Sequence, residues 1–307
     1  MDYKKIFKSR ATRQKVLITL SFIPDELMVR LQYWIKTGRF LNLRNPKRYT
    51  EKLQWYKLNY RDPLMVKCVD KYDVRKYVEN LGLGSVLNDC YGVFKSVEEV
   101  DFDQLPNSFV LKDSLGGGGN SVIICKDKTN ADLEEYRKIM SRWVSKRRVK
   151  TGGREWPYYS GKPHRIIVER YLEQEDGDLP DFKFFCFDGK VFCVYLMANY
   201  RENHENGILG FLDRDFKLLP VHRADFKPLK VQPKKPENYE KMVEYAEILS
   251  KQFPHVRVDF FNINGHIIFG ELTFYMASGY FIFEPDSFDY EMGRCFNLPK
   301  AIKKSND

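Results

Sequence analysis

The sequence predicts an α+β fold, and three observations carry that prediction. Apolar residues recur at helical spacing in several segments; two hairpins are marked by Asp188-Gly189 and Asn264-Gly265; and a strand ending in Lys112 runs through four glycines into a second strand. At 307 residues, 43% of them hydrophobic, the chain can bury one large core or two small ones.

From residue 24 to 37, Leu27, Leu31, Trp34 and Ile35 recur at helical spacing, with Pro24 near the first turn and Gly38 as a stop. A second short helix is expected from the cap Thr50, carrying Leu53, Trp55, Tyr56 and Leu58. Together they form a small helical N-terminal unit, residues 1–60. Asp62-Pro63 opens one further helix through Met65, Val69, Tyr72 and Lys76, closed by Gly82-Leu83-Gly84. Short strands at 91–94 and 109–112, the glycine run, a strand at 122–125 and a helix over 131–148 follow. The second half opens with a strand at 165–169. Its hairpins join 182–187 to 190–196 and 257–263 to 266–272, because Asp-Gly and Asn-Gly supply the positive φ of tight turns. Between them lie a proline-punctuated stretch (Pro220, Pro228, Pro233, Pro236) and an amphipathic helix carrying Met242, Val243, Ala246 and Leu249.

Several classes fall away. The longest apolar runs are interrupted by charges such as Lys183, Asp188 and Lys190, so no membrane span is expected, and the N-terminus does not read as a signal peptide. Six cysteines without a CxxC pair predict reduced thiols in a cytoplasmic protein. His164, His204, His222, His255 and His266 show no metal spacing, and no nucleophile triad stands out. The formal net charge of +9 suits anionic partners without choosing among them. The basic run from Lys146 to Lys150 reads as a solvated helix end, and no nucleic-acid partner is expected.

The residues with chemical promise are few. Lys112, followed by Gly116, Gly117, Gly118, Gly119, Asn120 and Ser121, offers backbone N–H groups and a cation to phosphate oxygens, or else is a flexible hairpin loop. Asp259 and Glu271 stand on the two arms of the Asn-Gly hairpin. A plain two-residue turn would pair Asp259 with Gly270, so the two acids can share a magnesium ion only across a β-bulge, which is expected here. Arg257 shares a strand face with Asp259 and reads either as a stabiliser of developing negative charge or as a structural ion pair. Asp181 and Lys183 share a face of the first hairpin, just after Val168 to Leu172. The stretch from Gly153 to Tyr159 mixes charge and aromatics in the manner of a sugar-contacting loop.

In this order the motifs resemble the ATP-grasp superfamily, and within it the TupA-like branch named for teichuronopeptide biosynthesis. The resemblance runs from Asn45-Pro-Lys-Arg-Tyr-Thr-Glu-Lys-Leu-Gln-Trp55 through Val69-Asp-Lys-Tyr-Asp-Val-Arg75, the glycine loop, Gly153-Arg-Glu-Trp-Pro157 and Asp181-Phe-Lys-Phe-Phe185 to Phe253-Pro-His-Val-Arg-Val-Asp259 and Gly270-Glu-Leu-Thr-Phe274. It implies an ATP-grasp domain over 61–307, with two α+β subdomains clamping ATP in a cleft between about 61–165 and 166–300. It implies that Lys71, Lys112 and the loop from Gly116 to Ser121 hold ATP phosphates, and that Glu169, Tyr171 and Leu172 meet adenine. Asp181 would meet the ribose, Lys183 and Arg201 the phosphates from the far side. Asp259 and Glu271 would bind Mg²⁺, with Thr273 where most ATP-grasp ligases have Asn, and Arg257 would stabilise the transition state. The implied chemistry is ligation of a carboxylate, such as a uronic acid of a cell-surface glycan or its precursor, to an amine through an acyl phosphate. It also implies a bacterial cytoplasmic location, at the inner face of the membrane where such glycans are assembled. The alternatives are a kinase on the same fold that phosphorylates a sugar hydroxyl, and a non-catalytic module that binds acidic polymer.

Overall fold

The computed structural model describes residues 16–17, 19–117, 121–145, 153–159, 162–173, 179–198 and 207–302. In chain order the first half holds α1 (Asp25–Thr37), α2 (Tyr49–Asn59), α3 (Pro63–Cys68), α4 (Asp73–Asn80), β1 (Cys90–Phe94), β2 (Phe109–Asp113), β3 (Val122–Cys125), α5 (Leu133–Val144) and β4 (Ile166–Arg170). The second half adds β5 (Asp181–Phe187), β6 (Lys190–Ala198), β7 (Ile208–Asp213), β8 (His222–Arg223), β9 (Lys227–Pro228), α6 (Tyr239–Ser250), β10 (His255–Ile263), β11 (His266–Thr273), β12 (Phe283–Glu284) and α7 (Ser287–Cys295).

An antiparallel sheet forms in the order β1-β4-β2-β3, so the strand expected to open the second half, β4, instead completes the sheet of the first. Because side chains alternate along a strand, Phe109, Leu111, Ile166 and Val168 enter a core closed by Met140 and Trp143 of α5. Val110, Lys112, Ile167 and Glu169 therefore lie on the opposite face. The second half forms a six-stranded sheet, β11-β10-β5-β6-β7-β9, antiparallel except between β7 and β9. Phe184, Val258 and Phe260 pack beneath α6, where the Phe184 and Tyr239 rings stack 6.0 Å apart. The other face carries Asp181, Lys183, Phe185, Arg257 and Asp259, and α2 covers part of it. Tyr49 stands edge-on to Phe185 at 6.2 Å. Burying Leu53 of α2 there contributes about 1.5–3 kcal/mol. A neutral His255 completes the seam. Burial pushes its imidazole down to about 3, Nδ1 donates to the Cys186 carbonyl at 2.9 Å, and Nε2 accepts from the Tyr49 hydroxyl at 2.8 Å.

Both tight turns have the expected chemistry: Asp188, Gly189, Asn264 and Gly265 take φ of 48°, 75°, 49° and 82°. Two expectations need correction. Thr50 does not cap α2; the helix begins at Tyr49, Glu51 reaches back to the N–H groups of Lys47 and Arg48, and Thr50 is buried with its hydroxyl on Asp289. The single helix expected after Asp62-Pro63 is two, α3 and α4, because Asp70 Oδ1 accepts from the N–H groups of Tyr72 and Asp73 and starts a new helix. The helix predicted from Leu27, Leu31 and Trp34 is present as α1; the spacing left its facing open, and these three face outward while Met28, Val29, Gln32 and Tyr33 face in. All six cysteines are free thiols. No helix among the described residues is long and apolar enough to cross a membrane.

Candidate active site

The break between α3 and α4 positions the first cation. Asp70, fully buried, also accepts from Arg165 Nη2 at 2.8 Å, and Arg165 bonds Asp73 at 2.9 Å. The turn so fixed joins its Lys71 N–H to the Ser114 carbonyl at 2.9 Å, and the Lys71 ammonium donates to the Gly116 carbonyl. Gly116 must lack a side chain, since a Cβ there would come within 2.2 Å of the Ser121 Cβ. Lys112, on the open face of the four-stranded sheet, bonds Glu169 Oε2 at 2.6 Å. The segment holding Tyr171 and Leu172 leaves β4 beside Asn88, whose amide donates to the Arg170 carbonyl at 2.9 Å.

On the six-stranded sheet the register does the rest. The predicted bulge is present: Asp259 pairs with Glu271 while Phe260 pairs with Phe269, leaving Gly270 as the extra residue. Direct pairing also sets Lys183 beside Asp259 and Thr273 beside Arg257, so all face one side. Arg257 forks Asp259 through Nε at 2.7 Å and Nη2 at 2.6 Å. The same Nη2 reaches Thr273 Oγ1 at 3.0 Å and Glu271 Oε1 at 3.5 Å, and the Thr273 hydroxyl donates to Glu271 at 3.0 Å. Lys183 bonds Asp259 at 2.8 Å and also Asp181.

These groups set one another's protonation. Burial opposes the charge of Arg257 and of Lys183, but the neighbouring carboxylates outweigh it and push both further above their ordinary values. Burial likewise works against Glu271, yet the cations of Lys71, Arg257 and Lys183, with the Thr273 hydroxyl, hold its carboxyl below the usual range. Asp181 goes the other way, raised by burial and by Asp259 against the pull of Lys183. The influence of Lys71 on Glu271 ties the glycine-loop side to the acid side of the molecule.

Among the described residues no group of three or more acids, histidines or cysteines could hold a metal. The donors here instead fit an ion that takes one or two carboxylates and completes its shell with phosphate oxygens and water, as Mg²⁺ does. Asp259, Glu271 and the Thr273 hydroxyl are all hard oxygen donors. Asp181 Oδ1, buried and without a hydrogen-bond partner among the described residues, is an acceptor left open for a ligand donor such as a ribose hydroxyl. Arg201, Gly118, Gly119 and Asn120 lie outside the described residues, and Gly117 is exposed at the loop's edge.

One cluster was not legible as a unit in the sequence. Lys57 of α2, fully buried, donates to Gln54 Oε1 and to the Ser278 carbonyl, each at 2.8 Å. The Ser278 hydroxyl donates to Glu155, and Ala277 and Ser278 both take positive φ, 44° and 55°. Burial drives Lys57 down to about 7 and raises Glu155. Tyr158 feels Glu155, Glu271 and Arg257 together, so this cluster adjoins the acid side of the site. Its members lie far apart in sequence, and only the Glu155 loop was singled out there.

The family model described as TupA-like ATPgrasp matches residues 51–297 of the chain. Among solved structures, D-alanine–D-alanine ligase from Helicobacter pylori is similar at 17% identity and a TM-score of 0.47, covering 80% of this chain and 67% of that one. The corresponding enzyme from Bacillus anthracis gives 17% and 0.43, covering 67% and 57%. The ADP complex of purK, N5-carboxyaminoimidazole ribonucleotide synthetase, gives 18% and 0.44, covering 76% and 52%. The chain thus spans little more than half the length of the latter two. At these identities and scores the likenesses add nothing to the family match. No curated protein matches the sequence.

Proposed function

Because the chain belongs to the TupA-like ATP-grasp family, we propose that it uses Mg·ATP to activate a carboxylate and join it to an amine. The carboxylate is a uronic acid of a cell-surface glycan or its precursor, met in the bacterial cytoplasm at the inner face of the membrane. One observation carries the reading: Asp181, Lys183, Asp259, Arg257, Thr273 and Glu271 form a continuous hydrogen-bonded network on one sheet face, and Lys71, anchored at the glycine loop, acts on its Glu271.

In this reading Lys71 and Lys112 exchange Gly116 and Glu169 for phosphate oxygens of ATP. Asp259, Glu271 and Thr273 would hold Mg²⁺, which when bound neutralises charge on those phosphates. Transfer of a phosphoryl group depends on positioned cations more than on a base. Arg257, kept charged by its forked carboxylate, is aimed where negative charge develops; Lys183 stands on the same side as a further cation, and Arg201, outside the described residues, would supply another. The substrate carboxylate oxygen bonds to the γ-phosphorus as the bond to ADP breaks. The amine nitrogen then bonds to the carbonyl carbon, and phosphate leaves with the electron pair of its C–O bond.

The decisive assay supplies ATP, Mg²⁺, a uronate and an amine. A ligase yields ADP, one inorganic phosphate and one amide per turnover. Phosphate retained on a sugar hydroxyl would make the protein a kinase instead, and absence of Mg-dependent nucleotide binding would leave only an acidic-polymer-binding module.

A further inference from the structure

Where the loop of Trp156 meets the chain just past α2 and just past β11, three hydrogen-bond donors stand without acceptors. Arg61 Nη1, Trp156 Nε1 and the Tyr275 hydroxyl are shut away from solvent, and none has a hydrogen-bond partner among the described residues. Tyr275 is 2% and Trp156 8% exposed. The Arg61 guanidinium lies over the Trp156 ring, 5.1 Å from its centroid. Arg61 and the Trp156 indole both act on the Tyr275 hydroxyl, the indole without reaching hydrogen-bond geometry, so the three groups are neighbours. Burial outweighs both and lifts Tyr275 well above the ordinary tyrosine range, which leaves its proton in place to be donated.

A buried donor without an acceptor is destabilising, and folded proteins leave few of them. Three together, one of them a cation, describe a seat for an anion. The acids nearby are engaged elsewhere. Asp62 accepts from the Leu64 N–H and the Tyr60 hydroxyl, Glu155 is turned to the Ser278 hydroxyl and lies within the pull of Lys57, and Asp25, which acts with Arg61 on Tyr159, pairs with Arg154 at 3.2 Å. Arg61 itself forms no ion pair among the described residues. The seat also adjoins the chemistry: Tyr275 follows Thr273 by two residues, and Tyr158 feels Tyr275 together with Glu271 and Arg257. The identity of the anion rests on the ligase reading, in which a carboxylate must be held beside Mg·ATP while the phosphates have Lys71 and Lys112. We propose that Arg61, the Trp156 indole N–H and the Tyr275 hydroxyl bind the carboxylate group of a substrate. The loop from Gly153 to Tyr159, expected from its composition to contact sugar, would then meet the acidic end of one.

The test is calorimetric titration of the full chain, with Mg·ADP present, using glucuronate and glycine as carboxylate probes. Glucose and glycinamide are their carboxylate-free counterparts. The wild type should bind glucuronate or glycine, whichever source supplies the carboxylate, about tenfold or more tightly than its counterpart. Arg61→Met should weaken that binding about 10–100-fold and the isosteric Tyr275→Phe about tenfold, with Mg·ADP affinity unchanged. Tyr280→Phe removes another buried, unpartnered hydroxyl and should leave carboxylate binding as it was. In urea without ligand, Tyr275→Phe should unfold at the same or a higher concentration, because a stranded donor is gone. A wild type that binds neither carboxylate overturns the proposal, as do Arg61→Met and Tyr275→Phe variants that bind like the wild type. So does a Tyr275→Phe variant that unfolds at a lower urea concentration, since its hydroxyl would then have a partner within the fold. Carboxylate binding that depends on these residues, with no amide formed in the assay above, would count against the ligase reading alone. Amide formation untouched by the same substitutions would count against the seat alone.

Discussion

Among the described residues, every charged side chain of the candidate site on the six-stranded sheet is bonded to another, whereas on the four-stranded side Lys71 and Lys112 each have a single acceptor. The first region is organised before any ligand arrives. Its charges repay the cost of burial to one another, and taking one away strands its neighbour. The second region must trade partners, giving up Gly116 and Glu169 to meet phosphate. Substitutions in the first should therefore damage stability and turnover; those in the second should damage nucleotide affinity.

Arg257→Ala is the severest test. It strips Asp259 of two hydrogen bonds and should cost about 3–5 kcal/mol in urea unfolding, with turnover lower by about 10²–10³-fold. Magnesium affinity should hold or rise, because a cation leaves the cluster; equal loss of nucleotide binding and turnover would break the comparison. Lys112→Met with Glu169→Gln is milder. Removing both partners leaves no stranded charge, so unfolding should barely move, while nucleotide affinity in a calorimetric titration falls about 10–100-fold, the worth of one charge-assisted hydrogen bond. An unfolding loss as large as that of Arg257→Ala would show that the two sides are built alike.

The smallest effect lies in acid. Since its neighbours hold Glu271 below the glutamate value of 4.5, this carboxylate stabilises the fold above that pH, and the contribution is lost as pH falls through the lower folded value. Glu271→Gln should lower stability on the neutral plateau by that contribution and flatten the acid limb of a stability–pH curve below 4.5. An unaltered acid limb would mean that Glu271 is not coupled to Lys71, Arg257 and Lys183.

Much of this was legible in the sequence because it rests on local rules. Asp-Gly and Asn-Gly fixed the two turns, and counting residues from Asn264-Gly265 required a bulge to align Asp259 with Glu271. What escaped depends on distant partners. The Asp70 cap that divides α3 from α4 is reinforced by Arg165, and Lys57 meets Glu155 only through Ser278. Periodicity placed α1 correctly but could not say which way its stripe would point. An apolar row predicts a helix whether it is covered by this chain or by something else.

The bulge at Gly270 gives the hairpin one residue of slack. A Cβ at this position would stand 3.1 Å from the Asp259 carbonyl oxygen, so any larger residue presses on the backbone that carries the acid. Removing Gly270 altogether would instead close an unbroken ladder, with Phe269 still opposite Phe260 and Glu271 still opposite Asp259. At this one place in the hairpin, shortening the chain should be gentler than enlarging a side chain, and length variation can accumulate beside the acids without moving them out of step.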